Sequence, residues 1–260
     1  MPSPVRMVVV IPCRDDAPML EECLTALAAQ TRPADAVIVV DNGSSDDSAA
    51  VARRHGAEVV TEPRVGVGPA VAAGYDRAIR DADLVARLDA DSRPRPDWLA
   101  RIEAAFLADG RLDVLTGGAE FYDLARLWAY LGEHWYIGGG FVWIRLWLGV
   151  PLVFGSNFAM RPAVWERART RVKRERGDIH DDLDLTIHLD PADRVRLDRT
   201  LRMPVSGRPF ATLGGLSDRV WKVVRTFAAS WPDGAPRPAP RSRATAWDAD
   251  GDTELRARDA

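Results

Sequence analysis

Apolar positions along residues 1–118 alternate between unbroken runs and repeats at helical spacing. MVVVI (7–11), AVIVVD (36–41), AEVV (57–60), LVARLD (84–89) and LDVLTG (112–117) are short, β-branched runs suited to parallel strands covered on both faces. Between them Leu20, Cys23, Leu24, Leu27 and Ala28 recur at helical spacing. A second helix is expected with Ser44 or Ser45 as its cap, Asp46 and Asp47 in its first turn and Gly56 at its end. A third covers residues 69–80, and a fourth starts near Pro96 and turns Trp98, Leu99, Ile102 and Phe106 inward. Strand and helix in alternation predict an α/β fold, a mostly parallel Rossmann-like sheet with helices on both faces.

After Gly118 the pattern changes. Residues 121–155 carry Trp128, Trp135, Trp143 and Trp147 with Tyr122, Tyr130 and Tyr136, interrupted by Gly138, Gly139 and Gly140. FVWIRLWLGVPLVFG is strongly apolar, but Arg145 falls inside it and Pro151 interrupts it. A spanning helix needs roughly 20 uninterrupted apolar residues and loses about 3 kcal/mol to a central Arg, which argues against a transmembrane segment. The segment is expected to form a buried, aromatic-rich lobe lining an acceptor pocket; the alternative is a Trp-rich surface that dips into the bilayer interface. NFAMR then reads as a short strand, a helix begins near Pro162, DDLDLTIHL (181–189) is helical and VRLDRTLRMPV supplies a further strand. SDRVWKVVRTFAASW (217–231) places Val220, Val223, Val224, Phe227 and Trp231 on one helical face with Arg219, Lys222 and Arg225 around the rest. That helix either packs on the domain by its apolar face or forms a basic amphipathic membrane contact. From Pro232 the chain is rich in Pro, Ala, Arg and Asp, and residues 232–260 are expected to be a disordered tail. The expected organisation is therefore a ligand-binding half at 1–118, a second half at 119–231 and the tail.

Charge and cysteine content narrow the partners. A net charge of −3 offers no general attraction to nucleic acid, and no nucleic-acid partner is expected. Cys13 and Cys23 are too few for a disulfide scaffold and lack zinc-site spacing. The opening MPSPVRMVVVIP has no secretory pattern, so a cytoplasmic protein is expected, with peripheral attachment at the inner membrane face resting on the two aromatic segments.

Acids gather where a parallel sheet binds its ligands, beyond the carboxyl ends of the strands. Asp15 and Asp16 follow the first strand, Asp41 ends the second, and Asp89 and Asp91 end the fourth. Spaced i, i+2 on a strand, Asp89 and Asp91 would point to one side, and two carboxylates there suit Mg²⁺ or Mn²⁺. Such an ion would let an acidic pocket hold a diphosphate. GVGPAV (66–71) has a Gly-x-Gly spacing, but the first strand is followed by Pro-Cys-Arg-Asp-Asp, which speaks against a dinucleotide oxidoreductase.

Six segments in order resemble glycosyltransferase family 2 of the GT-A fold. They are IPCRDDAPMLEECLTALAAQT, VIVVDNGSSDDS, PRVGVGPAVAAG, RLDADSRPRPDWL, FGSNFAMR and DDLDL, covering roughly residues 7–200. The resemblance implies a metal-dependent, inverting, hexosyl-type transfer from a nucleotide-sugar to a hydroxyl-bearing acceptor, be it a saccharide, a lipid-linked molecule or a small one. Pro12, Asp16 and Asp41 match positions that line the base and ribose pocket, and Arg64 and Gly66 fall in the Gly-rich donor segment. Asp89 matches the acid nearer the ribose, Asp91 the direct metal ligand, and Asp182 the general base. The chain departs from the pattern at Asp15 and Asp16, where Asn-Glu is usual, at Arg64 and Ala72, where Asn is common, and at Asp181, where Glu is usual. The last change leaves the base open between Asp181 and Asp182. Two other readings of the same sheet are a nucleotide-binding or membrane-surface module without transfer, and a nucleotidyltransferase.

Overall fold

The computed structural model describes residues 5–133, 138–208 and 213–230. Strands β1 (Met7–Cys13), β2 (Ala36–Asp41), β3 (Glu58–Thr61), β4 (Leu84–Arg87), β5 (Val114–Phe121), β6 (Phe158–Met160) and β7 (Val195–Val205) form one sheet in the order β3-β2-β1-β4-β6-β5-β7. All neighbours run parallel except β6, which is antiparallel to β4 and β5. This is the mostly parallel α/β sheet that the runs predict, because strands covered on both faces are apolar throughout: Met7 to Ile11 are all buried.

Helices α1 (Ala17–Ala28) and α4 (Trp98–Ala108) cover one face of the sheet. They bury Leu20, Cys23, Leu24 and Leu27, and Trp98, Leu99, Ile102 and Phe106, in a core shared with Val9 and Ile11. Helices α3 (Val67–Ala78) and α7 (Pro162–Ala168) cover the other, where Tyr75 and Trp165 pack edge to face with Val8 and Val10 nearby.

Helix α2 (Ser48–Arg54) begins later than expected, and neither Ser44 nor Ser45 caps it. Asp46 accepts hydrogen bonds from the Ser48 backbone N–H at 3.0 Å and from the Ala17 N–H at 2.9 Å. Its carboxylate thus holds residues before Ser48 in a turn and ties them to the start of α1.

The second half departs further from expectation. Helices α5 (Arg126–Leu131) and α6 (Gly139–Leu148) do not form a buried lobe. Helix α6 buries only Phe141 and Ile144, while Trp128, Tyr130, Trp143 and Leu146 lie exposed. Helix α8 (Asp181–Ile187) precedes β7, and α9 (Leu213–Ser230) closes the described chain. α9 does pack on the domain, but through its polar side. The His180 N–H donates to Thr226 Oγ1 at 2.9 Å, and Ser230 Oγ donates to Asp184 Oδ1 at 2.6 Å. Thr226 and Ser230 are buried, whereas Val220 and Val224 remain half exposed, because the surface α9 meets offers hydrogen-bonding groups. Trp135, Tyr136, Trp231 and residues 232–260 lie outside the described residues. No helix among the described residues is long and apolar enough to cross a membrane.

Candidate active site

The antiparallel strand assembles the site. Because Phe158 at the start of β6 pairs with Arg87 at the end of β4, residues 155–157 arrive at the carboxyl edge of the parallel strands. The first turn of α8, with Asp181 and Asp182, meets them there.

Asp89 and Asp91 lie beyond β4, in a turn where the Ser92 N–H donates to the Asp89 carbonyl at 3.0 Å. Their approach therefore comes from the turn and not from a strand pleat, correcting the expected i, i+2 geometry. Burial, then the neighbouring Asp89, raise the Asp91 carboxyl to about 7. Arg208 opposes that rise and Asp16 adds to it. Arg208, just after β7, grips Asp16 with two hydrogen bonds of 3.0 and 2.6 Å and stands 3.7 Å from Asp91. It balances acids delivered by the exits of β1 and β4.

Arg87 is the buried counterpart. Only 3% of its side chain is exposed, and its guanidinium donates to Asp89 Oδ1 at 3.1 Å and to Asp181 Oδ2. Asp89 Oδ2 also accepts from Ser156 Oγ at 2.5 Å. Gly155 leaves room for this fork, since a Cβ there would stand 3.0 Å from Arg87 Nη1. Burial raises the Asp181 carboxyl while the Arg87 charge opposes the rise. Asp182 has a different setting: its carboxylate accepts from the Gly155 N–H at 3.1 Å and the Leu183 N–H at 2.8 Å, with His180 Nδ1 at 3.9 Å. Asp181 is locked into an ion pair, whereas Asp182 is oriented by backbone.

The remaining predicted residues take other places. Pro12 is opposite Val40 and Cys13 opposite Asp41, so Pro12 and Asp41 flank the exits of β1 and β2. Asp41 accepts from the Ser44 N–H at 3.0 Å. Arg64 is not aimed at the acids beyond β4; its guanidinium binds Glu62 at 2.7 Å and Glu175. Gly66 has φ +139°, and a Cβ there would fall 2.4 Å from the Gly177 Cα. Asn42 links these parts. It is 3% exposed, donates to the carbonyls of Glu62 and Arg64 at 2.8 and 2.7 Å, and accepts from the Gly66 N–H at 2.7 Å. The structure thus joins Asp16, Asp89, Asp91 and Asp181 in one charged network with Asp182 beside it, and holds Arg64 and Gly66 in a second.

Sequence reasoning missed Arg87, Arg208, Ser156 and Asn42. A charged residue inside a run read as buried on both faces was the available signal for Arg87. Arg208 carried none, since its position depends on the path of β7.

Among the described residues no group of three or more His, Cys, Asp or Glu forms a complete protein cage for a metal. The pair Asp89 and Asp91 nevertheless suits a hard cation that keeps open positions, being all oxygen and burdened by mutual repulsion that a positive ion relieves.

Seven strands in this order, with acids after the parallel strands and a reversed strand bringing a second acidic segment to the same edge, form an α/β sheet of the GT-A type. The chain belongs to the family Glycosyl transferase family 2, whose sequence model matches residues 8–167. It is 42% identical over 109 residues to an uncharacterised glycosyltransferase of Mycobacterium tuberculosis, a match covering 42% of this chain and 46% of that protein. In fold it is similar to the mannosyltransferase PcManGT of Pyrobaculum calidifontis, solved with GDP-Man and Mn²⁺. That likeness has TM-score 0.68 and 21% identity over 92% of this chain and 67% of the other. It is also similar to glucosyl-3-phosphoglycerate synthase of Mycobacterium tuberculosis, solved with Mn²⁺, UDP and phosphoglyceric acid, at TM-score 0.62 and 17% identity over 87% of this chain and 78% of the other.

Proposed function

We propose that this chain transfers a sugar from a nucleotide-sugar to an acceptor hydroxyl with inversion at the anomeric carbon, and that a divalent cation, Mg²⁺ or Mn²⁺, serves the reaction. The observation that carries this reading is the convergence of Asp16, Asp89 and Asp91 at the strand exits, beside a backbone-held Asp182. The complexes of the two structural relatives, each with Mn²⁺ and a nucleoside diphosphate or its sugar, support it.

Asp91 would hold the cation with Asp89 assisting, and a cation there supplies Lewis-acid neutralisation of the leaving diphosphate. Pro12, Asp16 and Asp41 would line the nucleoside, and Arg64 and Gly66 would keep the donor segment in place through Asn42. Asp182 would take the proton of the attacking hydroxyl. The assignment falls on Asp182 because Asp181 is engaged with Arg87, while the Asp182 carboxylate is fixed by two backbone N–H groups and faces no arginine within ion-pair distance among the described residues. General-base assistance of this kind is worth about 10² to 10⁴ in rate.

The test is thermal stability with UDP, GDP and dTDP and their sugars, each with and without Mn²⁺. A ligand at 100 times its Kd adds about 2.7 kcal/mol to the folded state. Asp91→Asn should lose the metal-dependent stabilisation by nucleotide. Asp182→Asn should keep it and lose transfer by at least about 10². Turnover by Asp182→Asn at the wild-type rate would remove Asp182 from the mechanism. Absence of any nucleotide effect in folded wild-type protein would favour the module without transfer.

A further inference from the structure

The helices of the second half present an apolar face that the proposed chemistry does not use. On α6, Trp143 stacks on Trp147 with ring centroids 4.8 Å apart, and Trp147 meets Phe227 of α9 at 5.9 Å. From Phe227 the stripe continues along α9 through Val224 and Val220 at three- and four-residue spacing, with Trp221 beside it. Trp143 is 56% exposed, Leu146 76%, Trp147 42% and Trp221 60%, so the stripe is open on both helices. Contiguous exposed apolar surface on a monomer marks a place of interaction.

Charge identifies the partner. The charged residues of α5, α6 and α9 are Arg126, Arg145, Arg219, Lys222 and Arg225 against the single acid Asp218, in a chain whose net charge is −3. Lys222 bridges Asp218 at 3.2 Å and the Arg219 charge acts on Asp91, while Arg225 is exposed one turn from Trp221 on a helix with three basic residues and one acid. Pairing this face with a second copy of the chain would set basic residues against basic residues, a repulsion that opposes a symmetric dimer. Indole rings with an apolar body and one N–H, flanked by Arg and Lys, match the headgroup level of a bilayer with anionic lipid. The helices are too short and too charged to cross it.

We propose that α6 and α9 seat this protein on an anionic lipid surface, with the Trp143, Leu146, Trp221 and Val224 stripe at headgroup depth and Arg225 against the lipid phosphates. The proposal stands apart from the catalytic reading, since none of the residues altered below belongs to the proposed site.

The experiment is flotation of the full chain with vesicles of phosphatidylcholine alone and of phosphatidylcholine containing a quarter phosphatidylglycerol. The protein should float with the anionic vesicles, much less with the neutral ones, and detach as salt is raised. Arg225→Gln should lower vesicle affinity about fivefold. Trp143→Ser combined with Trp221→Ser should abolish flotation while leaving metal-dependent stabilisation by nucleotide unchanged, which separates loss of docking from loss of the fold or site. Protein that stays out of both vesicle fractions overturns the proposal. So does equal, salt-insensitive binding to both, or a dimer in sedimentation that the double variant dissolves.

Discussion

Replacing Arg87 by Met removes the guanidinium that the site is built around while keeping a long, apolar stem. Arg87 is 3% exposed, and its two carboxylate partners differ in setting: the Asp181 side chain is 15% exposed and that of Asp89 36%. The bond to Asp89 is substantially screened and contributes up to about 1 kcal/mol. The bond to Asp181 dominates, because its loss strands a nearly buried carboxylate, a change that costs about 3–5 kcal/mol. Met restores most of the packing volume, so the loss reports charge and not cavity. In a domain of this size that is a fall of roughly 6–20 °C in Tm. The pH dependence follows from the direction of the Asp181 shift. Burial raises this carboxyl in the folded protein, and removing the Arg87 charge that opposes the rise carries it higher. A carboxyl raised by folding costs stability where it is ionised, and the cost fades as falling pH protonates it in the folded state. The deficit of Arg87→Met should therefore be largest at neutral pH and shrink in mild acid. Asp181→Asn added to Arg87→Met should recover most of it. Urea unfolding followed by tryptophan fluorescence, with the slope unchanged between variants, measures each value. A single variant within about 0.5 kcal/mol of wild type at neutral pH, the range of an ordinary surface substitution, would refute the reasoning. A deficit that deepens in acid would refute it equally.

Two further outcomes test the framework around the site. Gly66→Ala should cost about 2 kcal/mol or more, since φ is +139° and the new Cβ would press on Gly177 backbone at 2.4 Å; an unchanged Tm would mean that residues 64–66 do not pack on 175–177. Ser230→Ala should cost about 1–2 kcal/mol by leaving Asp184, 2% exposed, short of a donor. Faster hydrogen exchange confined to α9 would accompany it, and unaltered exchange would show that this bond does not hold the helix.

The sheet was legible because a strand buried on both faces has to be apolar at every position, and MVVVI and AVIVV satisfy that without help from context. The positions of Asp16, Asp41, Asp89 and Asp91 followed from the same fact, since acids placed directly after such runs fall at the strand exits. Arg87 was hidden by its neighbours: inside LVARLD it reads as one polar interruption, and only the arrival of Asp181 from a segment 94 residues away explains it. The reversal of β6 was not legible either, because three residues carry no directional pattern and direction is set by what lies on each side. For α9 the periodicity found an apolar stripe, of which Val220 and Val224 stay half exposed, while the side carrying Thr226 and Ser230 is the one that docks. Hydrophobic spacing tells which residues share a side, whereas the choice of docked side was decided by the Asp184 carboxylate and the His180 amide waiting for Ser230 and Thr226.

The place of β6 also bears on the order in which the protein can fold. β5 is made before β6, yet β6 lies between β5 and the sheet already formed by β1 to β4. Until residues 122–157 have been synthesised and β6 has slotted in, β5 has no partner on that side, and Arg87 gains its acid from α8 only later, with Asp181. Growth of the sheet from the ribosome is therefore interrupted at β4, with an open strand edge and an arginine paired only with Asp89 for the interval. Such a pause favours non-local closure over sequential addition, and it marks the β4 edge as the point where a stalled chain would bind another of its kind.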